Sequence, residues 1–310
     1  MPNLATMLIT LERLSAGFHR RSLQIGDHSV VYSEGGKRES GAERGAPSKP
    51  GFGLQGSEPV ILIHGFGSSR DSWNRMAGRL TKSYRVIAPD LPGWGESTRI
   101  DSESYAYPPQ VERLRQFISA LGLSRVHLIG HSMGGFICSA YAALYPDDVI
   151  TLGLIAPHGV AEPEASELAR SVAAGDNWLV ASSTAAFDRL LNNVFAKRPY
   201  LPKSVLRMVA QRAIAGSAQS GRIFREMQTN DPPLEARLPQ IKAPALIIWG
   251  DQDRVLHVSC AEVFRRGIHN SEVLVLPGSG HMPLIENARQ CAAAWLKFAA
   301  KARAAMVAAA

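Results

Sequence analysis

Cysteine is scarce in this chain: three are present, Cys138, Cys260 and Cys291, and they lie far apart. An odd number of distant cysteines argues against a disulfide framework, and their spacing matches no zinc site. The chain has 310 residues, 45% of them hydrophobic, so it can bury a full core without such cross-links. We therefore expect three buried free thiols in a globular fold, and no bound metal.

Hydrophobic runs long enough for a transmembrane helix are also missing. Leu4 to Leu14 carries apolar positions at helical spacing, and Arg20 and Arg21 follow it. A signal peptide would have its positive charges before the apolar run, so this order argues against one. Residues 1–22 are predicted to form an N-terminal helical segment that packs on the body or touches a membrane surface, with packing favoured. We expect a cytoplasmic protein, with a peripheral position at the membrane as the alternative.

Charge is moderate in amount and dispersed along the chain. Asp, Glu, Lys and Arg make up 20% of the residues, and the formal net charge is +7 at pH 7. A basic surface can attract nucleic acid or anionic lipid. The basic clusters are short, however, as in Lys197-Arg198, and no nucleic-acid-binding motif accompanies them. We expect a positively charged protein with no nucleic-acid partner.

Short apolar runs alternate with helical patterns along most of the chain. Such runs are typical of parallel strands buried on both faces, and helices between them indicate crossover connections. A hairpin is predicted first, with strands Leu23 to Ile25 and Ser29 to Tyr32. The strands that follow are Val60 to Ile63, Arg85 to Ala88, Val126 to Ile129, Val149 to Ile155, Ala245 to Trp249 and Glu272 to Leu276. The helices between them are Trp73 to Leu80, Val111 to Leu121, Gly134 to Leu144 and Ser259 to Arg266. This pattern predicts an α/β fold with a mostly parallel central sheet flanked by helices.

Two intervals break the alternation. Residues 34–58 contain almost no large apolar side chains and are predicted to form a long loop. Gly51 to Gly56 matches a dinucleotide-binding fingerprint in letters only, because no strand precedes it and no helix opens within it. In the second interval helical patterns replace buried strands, as in an inserted helical cap. The predicted division is a core of residues 23–157 and 241–310 with a helical cap of residues 158–240.

The stretch Gly130-His131-Ser132-Met133-Gly134 follows a predicted strand and precedes a predicted helix. Glycines on both sides of the serine allow a sharp strand-to-helix turn, which lifts the hydroxyl above the edge of the sheet. The Gly-x-Ser-x-Gly spacing alone often arises by chance. Its position between a strand and a helix makes Ser132 the candidate nucleophile, because the N-terminus of the following helix favours negative charge.

A serine hydroxyl needs a base, which after such a turn should be a histidine past the last strand. His281 follows Glu272 to Leu276 through a glycine-containing loop, so it is the predicted base. A carboxylate must orient the imidazole, and it should follow the preceding strand. Asp253 is predicted in that role with Asp251 in reserve, because Asp251 has the position of a turn-forming aspartate. The chain order Ser132, Asp253, His281 agrees with this arrangement.

Acyl transfer also needs backbone amides that stabilise the negatively charged oxygen of the tetrahedral intermediate. One predicted donor is the amide of Met133, directly after the candidate nucleophile. The second is the amide of Phe66, in the glycine-containing loop after the first central strand. The loop Asp90 to Ser97 is predicted at the rim of the site, which places Trp94 near the substrate.

Four motifs together resemble the α/β-hydrolase superfamily, over nearly all residues from Val60 to Trp295. They are His64-Gly65-Phe66-Gly67, Asp90-Leu91-Pro92-Gly93, Gly130-His131-Ser132-Met133-Gly134 and Gly280-His281-Met282-Pro283. The resemblance implies an α/β-hydrolase fold with a helical cap inserted after the sixth strand. Within the superfamily the chain looks most like bacterial lipases and esterases of the monoacylglycerol-lipase-like branch, through Phe187 to Leu191 and Trp249 to His257. At His257 many relatives have proline, so the acid loop departs from their pattern.

The predicted function is hydrolysis of carboxylic esters, with medium acyl chains or monoacylglycerol-like, through an acyl-enzyme intermediate on Ser132. The expected partner is a small-molecule ester or lipid, and no cofactor is required. The apolar residues Phe187, Leu191 and Val194 line an acyl pocket or form the cap's own core, and the sequence weighs these interpretations equally. Two other reactions stay open on the same triad: carbon–carbon bond hydrolysis in aromatic degradation and cofactor-free perhydrolysis. A ligand receptor that kept the fold is disfavoured by the complete set of catalytic elements.

Overall fold

The structure of the chain is a computed structural model that describes residues 4–36, 58–229 and 233–308. Within these residues eight strands form one sheet in the order β1-β2-β4-β3-β5-β6-β7-β8. The strands are β1 (Phe18–Ile25), β2 (His28–Gly35), β3 (Val60–Ile63), β4 (Val86–Pro89), β5 (Val126–His131), β6 (Val149–Ile155), β7 (Ala245–Gly250) and β8 (Ser271–Leu276). The pairs β1–β2 and β2–β4 are antiparallel and the others are parallel, so the prediction of a mostly parallel sheet is confirmed.

The hairpin at the start of the sheet is longer than predicted. Strand β1 begins at Phe18, so the predicted N-terminal helical segment of residues 1–22 overlaps the sheet at its end. Helix α1 (Leu4–Ser15) stops earlier because Gly17, at φ 77°, turns the backbone into the strand. Polar residues such as Arg20 face outward from this edge strand, and they conceal the strand in a hydrophobicity pattern.

Helices cover both faces of the sheet. Those of the core are α2 (Asn74–Leu80), α3 (Tyr107–Ala120), α4 (Met133–Leu144), α9 (Cys260–Gly267), α10 (Pro283–Glu286) and α11 (Ala288–Ala308). One core layer contains Phe117 of α3 and Phe136 of α4, and the other contains Trp295 of α11. All residues of β3 to β7 are buried between the two layers. This double burial explains why these strands are continuous apolar runs in the sequence.

Between β6 and β7 lies an inserted segment, residues 158–240, for which the sequence predicts a cap. Its described helices are α5 (Glu167–Ala173), α6 (Thr184–Val194), α7 (Lys203–Ala215) and α8 (Ser217–Thr229). The hydroxyl of Ser166 caps α5 and that of Ser183 caps α6, each by accepting a backbone hydrogen bond. The described parts of the segment contain helices and turns and no strand.

Helix α1 lies against α7 of the inserted segment. Its inward side carries Ala5 and Arg13, and Arg13 donates two hydrogen bonds to the carboxylate of Asp71, at 3.0 and 2.9 Å. Its outward side exposes four large apolar side chains, Leu4, Met7, Leu11 and Leu14. The helix therefore leaves these four large apolar side chains facing outward. None of the described helices has the length and apolar content needed to cross a membrane.

The loops after β3, β5, β7 and β8 all start at one edge of the sheet, because these strands are parallel. In open α/β sheets, ligands bind in the crevice at this edge. All the candidate catalytic residues follow these strands. The long loop predicted for residues 34–58, with its glycine-rich stretch, lies mostly outside the described residues.

Candidate active site

Ser132 occupies the sharp turn between β5 and α4. Its backbone has φ 52° and ψ −117°, a strained conformation for a residue with a side chain. The turn is closely packed: a Cβ on Gly130 would lie 2.2 Å from the carbonyl oxygen of Gly134. A Cβ on Gly134 would lie 2.3 Å from the carbonyl oxygen of Ile63. Glycine is required at both positions, which is the physical reason for the Gly-x-Ser-x-Gly spacing.

Hydrogen bonds hold the backbone of Ser132 on both sides. Its amide donates to the carbonyl of Ile155 in β6 at 3.1 Å, and its carbonyl accepts from the amides of Phe136 and His158 at 3.2 and 3.1 Å. Met133 is the first residue of α4, where backbone amides have no acceptor within the helix. The serine thus lies at a helix N-terminus, which stabilises negative charge.

His281 and Asp253 lie at the same edge of the sheet as Ser132, after β8 and β7 respectively. Nδ1 of His281 donates a hydrogen bond to Oδ2 of Asp253 at 2.8 Å. The other carboxylate oxygen accepts from the amides of Val255 and Leu256, at 2.8 and 3.0 Å. Because Nδ1 carries the proton, Nε2 of the neutral ring has the free electron pair that a base requires.

The acid loop keeps a closed geometry although His257 stands where many relatives have proline. The side chain of Asp253 is fully buried, and its own hydrogen bonds to the following amides close the turn. Nδ1 of His257 lies 2.9 Å from the hydroxyl of Ser259. Asp251 accepts from the amide of Gly278 at 2.7 Å, so it joins the acid loop to the histidine loop.

The backbone of His281 is fixed on two sides by groups that the sequence motifs do not reveal. Its amide donates to the carbonyl of Val194, at the end of α6, at 2.9 Å. Its carbonyl accepts from Nε2 of His131 at 2.8 Å. Burial, and then the charge of His281, hold the pKa of His131 well below its usual value. His131 is therefore a neutral donor that orients the histidine loop.

Glu286 connects the histidine loop to the inserted segment. One carboxylate oxygen accepts from the amide of Gly280 at 2.9 Å. The other accepts from the amides of Ala196 and Lys197, at 3.0 and 2.9 Å. A Cβ on Gly280 would lie 2.5 Å from the nitrogen of Ala196, so the two backbones are in close contact. The position of residues 194–197 is thereby coupled to that of the histidine loop.

The loop after β3 lies over Ser132. A Cβ on Gly65 would lie 3.2 Å from Cβ of Ser132, so the backbone beside Phe66 touches the candidate nucleophile. The ring of Phe66 packs edge-on against Trp94, with centroids 5.0 Å apart. It also packs against Phe224 of α8 at 5.8 Å, a contact that the sequence did not predict. The loop therefore brings a backbone turn next to Ser132 and carries an aromatic ring that packs against Trp94 and Phe224.

Asp90 organises the rim loop that carries Trp94. Its fully buried carboxylate accepts from the amides of Arg70 and Glu96, at 2.7 and 2.9 Å, and pairs with the guanidinium of Arg70. Burial raises the pKa of Glu96, but hydrogen bonds from Arg20 and Arg70 outweigh it and lower that pKa to about 2. The ion pairs are structural, and they hold Trp94 beside Phe66.

The predicted substrate-contacting residues fall into two groups. Trp94 and Val194 belong to the core layer that surrounds the site, and Leu191 packs against it. Phe187 lies in a separate small cluster with Ala181 and Ala210, inside the inserted segment. Its location favours the interpretation of Phe187 as part of that segment's own core.

A second histidine lies beside the candidate nucleophile. The ring of His158 stacks on Tyr107 of α3, with centroids 5.7 Å apart and planes 9° apart, and on Phe136 of α4 at 6.1 Å. Nδ1 lies 2.9 Å from the hydroxyl of Tyr107. Burial, and then the charge of His281, lower the pKa of His158 to about 4. His158 is thus a neutral polar ring next to Ser132, and no sequence motif marks it.

A cavity of about 620 Å³ lies beside the acid loop, apart from the nucleophile. Its charged and titratable lining residues are Glu164, Glu167, Arg170, Asp251, Asp253, Arg254 and His257. Ser132 and His281 do not contribute to its walls. Across the part of the chain that the structure describes, no three His, Cys, Asp or Glu side chains are grouped as a metal site requires.

Comparison with known proteins agrees with this architecture. A family model described as "alpha/beta hydrolase fold" matches residues 58–288. The chain belongs to the α/β-hydrolase family. This confirms the predicted fold, in which the turn at Ser132 lies between a parallel strand and a helix.

Curated relatives of this α/β hydrolase include lipases. Lipase 1 of Psychrobacter immobilis is 32% identical over 288 residues, covering 92% of this chain and 85% of the relative. Monoacylglycerol lipase ABHD6 of Mus musculus is 32% identical over 252 residues, covering 77% and 75%. The predicted resemblance to bacterial lipases and to the monoacylglycerol-lipase-like branch is therefore confirmed.

Solved structures resemble the hydrolase over almost its whole length. A bacterial membrane phospholipase A has a TM-score of 0.90 and 37% identity, covering 97% of this chain and 91% of that one. A meta-cleavage product hydrolase from Pseudomonas fluorescens has a TM-score of 0.73 and 22% identity, covering 91% and 98%. The second likeness concerns the fold alone.

Proposed function

We propose that this α/β hydrolase cleaves carboxylic esters, with Ser132 as nucleophile, His281 as base and Asp253 as the carboxylate that orients the base. The observation that carries the proposal is that the three residues follow the parallel strands β5, β7 and β8 at one edge of the sheet, with Nδ1 of His281 2.8 Å from Oδ2 of Asp253. The names of its relatives, a lipase and a monoacylglycerol lipase, support an esterase or lipase.

In the first half of the reaction, Nε2 of His281 takes the proton of the Ser132 hydroxyl while the serine oxygen bonds to the acyl carbon. The tetrahedral intermediate collapses when the bond to the alcohol oxygen breaks, and His281 gives its proton to that oxygen. Water then repeats the sequence, which releases the acid and restores the serine. Asp253 stabilises the imidazolium that exists between these transfers.

The amides of Phe66 and Met133 are the proposed donors to the negatively charged oxygen. Met133 supplies the first amide of α4, and Phe66 follows Gly65, whose backbone touches Ser132. Fixed donors of this kind stabilise the transition state more than the substrate, since the charge develops only there. The N-terminus of α4 adds to the same effect.

The proposed substrate is an ester with a medium acyl chain or a monoacylglycerol. Apolar groups near the serine support an acyl pocket between the core and the inserted segment, which we propose as its cap; they are Phe66, Trp94, Leu191, Val194 and Phe224. The hydrogen bond that Val194 accepts from His281, and those that Ala196 and Lys197 donate to Glu286, support the same role for the segment.

The test is a panel of p-nitrophenyl esters from acetate to palmitate, together with 1-monoacylglycerols. We expect the highest kcat/KM at medium chain length. Ser132→Ala should lower kcat by a factor on the order of 10⁴ or more. Ser139→Ala is the matched control, because Ser139 is a buried serine on α4, the helix that follows Ser132. Near-normal turnover by the Ser132→Ala protein, or none by the unaltered protein on any ester, would remove the proposal.

We also infer that α1 contacts the surface of an anionic membrane. Leu4, Met7, Leu11 and Leu14 are 50–62% exposed and recur at helical spacing, so they share one outward side of the helix. The neighbouring helix α7 exposes Lys203 and Arg207, which are attracted to anionic headgroups. Apolar burial and this attraction together support binding in the interface plane.

A further inference from the structure

We propose that His158, held by Tyr107, binds a hydroxyl group in the alcohol portion of the substrate. The inference rests on the proposed ester hydrolysis at Ser132, and it assigns a polar subsite to the leaving alcohol. A polyhydroxylated alcohol such as glycerol would fill this subsite, whereas a simple alkyl alcohol would leave it without a partner.

The order of strands places His158 on the alcohol side of Ser132. Strand β5, which directly precedes Ser132, lies between β3 and β6. The amide of Phe66 comes from the β3 side, where the negatively charged oxygen is stabilised. His281 comes from the opposite side, after β8, and His158 follows β6 on that same side. The leaving alcohol must lie near His281, because it receives its proton from that ring.

Contacts on three sides fix the orientation of the His158 ring. Its backbone amide donates to the carbonyl of Ser132 at 3.1 Å, so its Cα is anchored to the nucleophile's own residue. Tyr107 and Phe136 stack against the ring. The hydroxyl of Tyr107 lies 2.9 Å from Nδ1. The rotamer is therefore set before a substrate arrives, which lowers the entropic cost of binding.

The second ring nitrogen of His158 remains available. Nε2 has no hydrogen-bond partner among the described residues. It is also not one of their fully buried, unpaired polar atoms. The residue keeps partial exposure although three rings pack together here. Phe66, Trp94 and Phe224 supply apolar surface near the serine, so a ring nitrogen would provide directional binding within an apolar site.

A hydroxyl matches this nitrogen better than an anion does. The low pKa of His158 keeps its ring neutral at the pH where His281 works as a base, so a carboxylate or phosphate would find no positive charge. Whichever of its nitrogens carries the proton, Nε2 either donates or accepts one hydrogen bond. A hydroxyl can both donate and accept, so it can bind Nε2 in either tautomer of His158.

The test compares two esters of one acyl chain, the 1-monoacylglycerol and the methyl ester. His158→Phe keeps a stacking ring but removes Nε2, so we expect the ratio of kcat/KM for the two esters to fall about tenfold, the effect of one lost hydrogen bond. The loss should appear mainly in KM for the monoacylglycerol. Tyr107→Phe should lower the same ratio less, because the ring remains stacked but loses its anchor.

Tyr145→Phe is the matched control, because it removes a tyrosine hydroxyl at the far end of α4. It should leave the ratio unchanged. If His158→Phe slows both esters equally, His158 is structural only and the inference is overturned while ester hydrolysis stands. If the unaltered protein cleaves neither ester, the proposed function itself fails.

Binding supplies a second readout in case His158→Phe does not fold. The Ser132→Ala protein is titrated with a 1-O-alkylglycerol ether, which cannot be hydrolysed, and with the matching alkyl methyl ether. We expect tighter binding of the glycerol ether, and a loss of that preference when His158→Leu is added, because leucine has a branched apolar side chain with no polar atom to bind the hydroxyl. Equal affinities for the two ethers in the His158-containing protein would overturn the inference.

Discussion

Burial decides the protonation state of the histidines around Ser132. The pKa values of His64, His131 and His158 are all lowered, with loss of hydration as the main cause. Neutral rings beside His281 avoid a second positive charge, which would oppose the formation of the imidazolium. In the proposed mechanism, the charge change of catalysis is thus confined to one ring.

The low pKa of His158 predicts a contribution to acid sensitivity. In the unfolded chain this imidazole has its ordinary pKa of about 6.5, so the unfolded state takes up the proton first as the pH falls. The free energy of unfolding should therefore decrease from pH 6.5 down to pH 4, where the folded state also becomes protonated. Urea unfolding of His158→Phe should show a pH 7.5-to-4.5 loss smaller by about 2 kcal/mol than that of the unaltered protein. Equal losses would contradict the assignment.

The three cysteines should be inert in the folded protein. Cys138, Cys260 and Cys291 are buried free thiols, and burial raises the pKa of Cys260 and of Cys291 to about 12. Thiolates are the reactive form, so these side chains should not react with Ellman's reagent. We expect three equivalents of thiol in denaturant and none in native buffer over minutes. Rapid reaction of a native thiol would show that its helix opens.

Residues in the loops that follow strands were predictable from the sequence. Ser132 and Asp253 follow buried strands and His281 follows the half-exposed edge strand β8, so their common edge follows from parallel pairing. The sequence could not indicate His158 or Glu286, because their partners are distant: Tyr107 is 51 positions from His158, and Ala196 is 90 from Glu286. Such pairs depend on how whole elements pack.

Among the elements, buried strands were predicted best. The bounds of β3 and β6 match the predicted runs, while β5 continues for two residues to His131. Helices α8 and α11 have no counterpart in the prediction. In α11 seven alanines among the first sixteen residues blur the apolar period, and in α8 polar residues outnumber the apolar ones.

The element-level prediction concerns the contact between α10 and the inserted segment. Glu286→Gln replaces one accepting oxygen by an NH₂ group, so either Gly280 or the pair Ala196 and Lys197 loses its acceptor and the bridge between the two segments is broken. We expect kcat to fall about tenfold with a smaller change in KM, because His281 loses its position more than the substrate loses contacts.

The matched control is Glu272→Gln, on exposed β8, whose carboxylate pairs with Lys301 at 2.6 Å. It should change neither parameter, since exposed ion pairs contribute little. Kinetics on one p-nitrophenyl ester and a thermal melt check both variants. A Glu286→Gln protein with lower Tm but unchanged kcat would contradict the coupling of the segment to the histidine loop.

On the surface of the whole molecule, four exposed large apolar side chains are grouped on α1, whereas the others lie on different elements. We expect the protein to co-sediment with vesicles of phosphatidylglycerol and phosphatidylcholine. Replacing Leu4, Met7, Leu11 and Leu14 by serine should weaken this partition at least about tenfold, since each removes buried apolar area.

The matched control replaces Leu144 and Val275, which are 48% and 42% exposed elsewhere on the surface. This change should leave vesicle binding as it was. Added salt should reduce binding of the unaltered protein, because the attraction of basic residues to anionic lipid is screened. Equal partition of both variants would show that α1 does not contact the membrane.

The most direct test of the central claim is covalent labelling of the nucleophile. The full chain is treated with a fluorophosphonate, and its mass and tryptic peptides are measured. We predict a single adduct on Ser132, formed much more slowly by the His281→Ala protein because the hydroxyl loses its base. A protein that remains unlabelled, or that carries the adduct on another residue, would contradict the account.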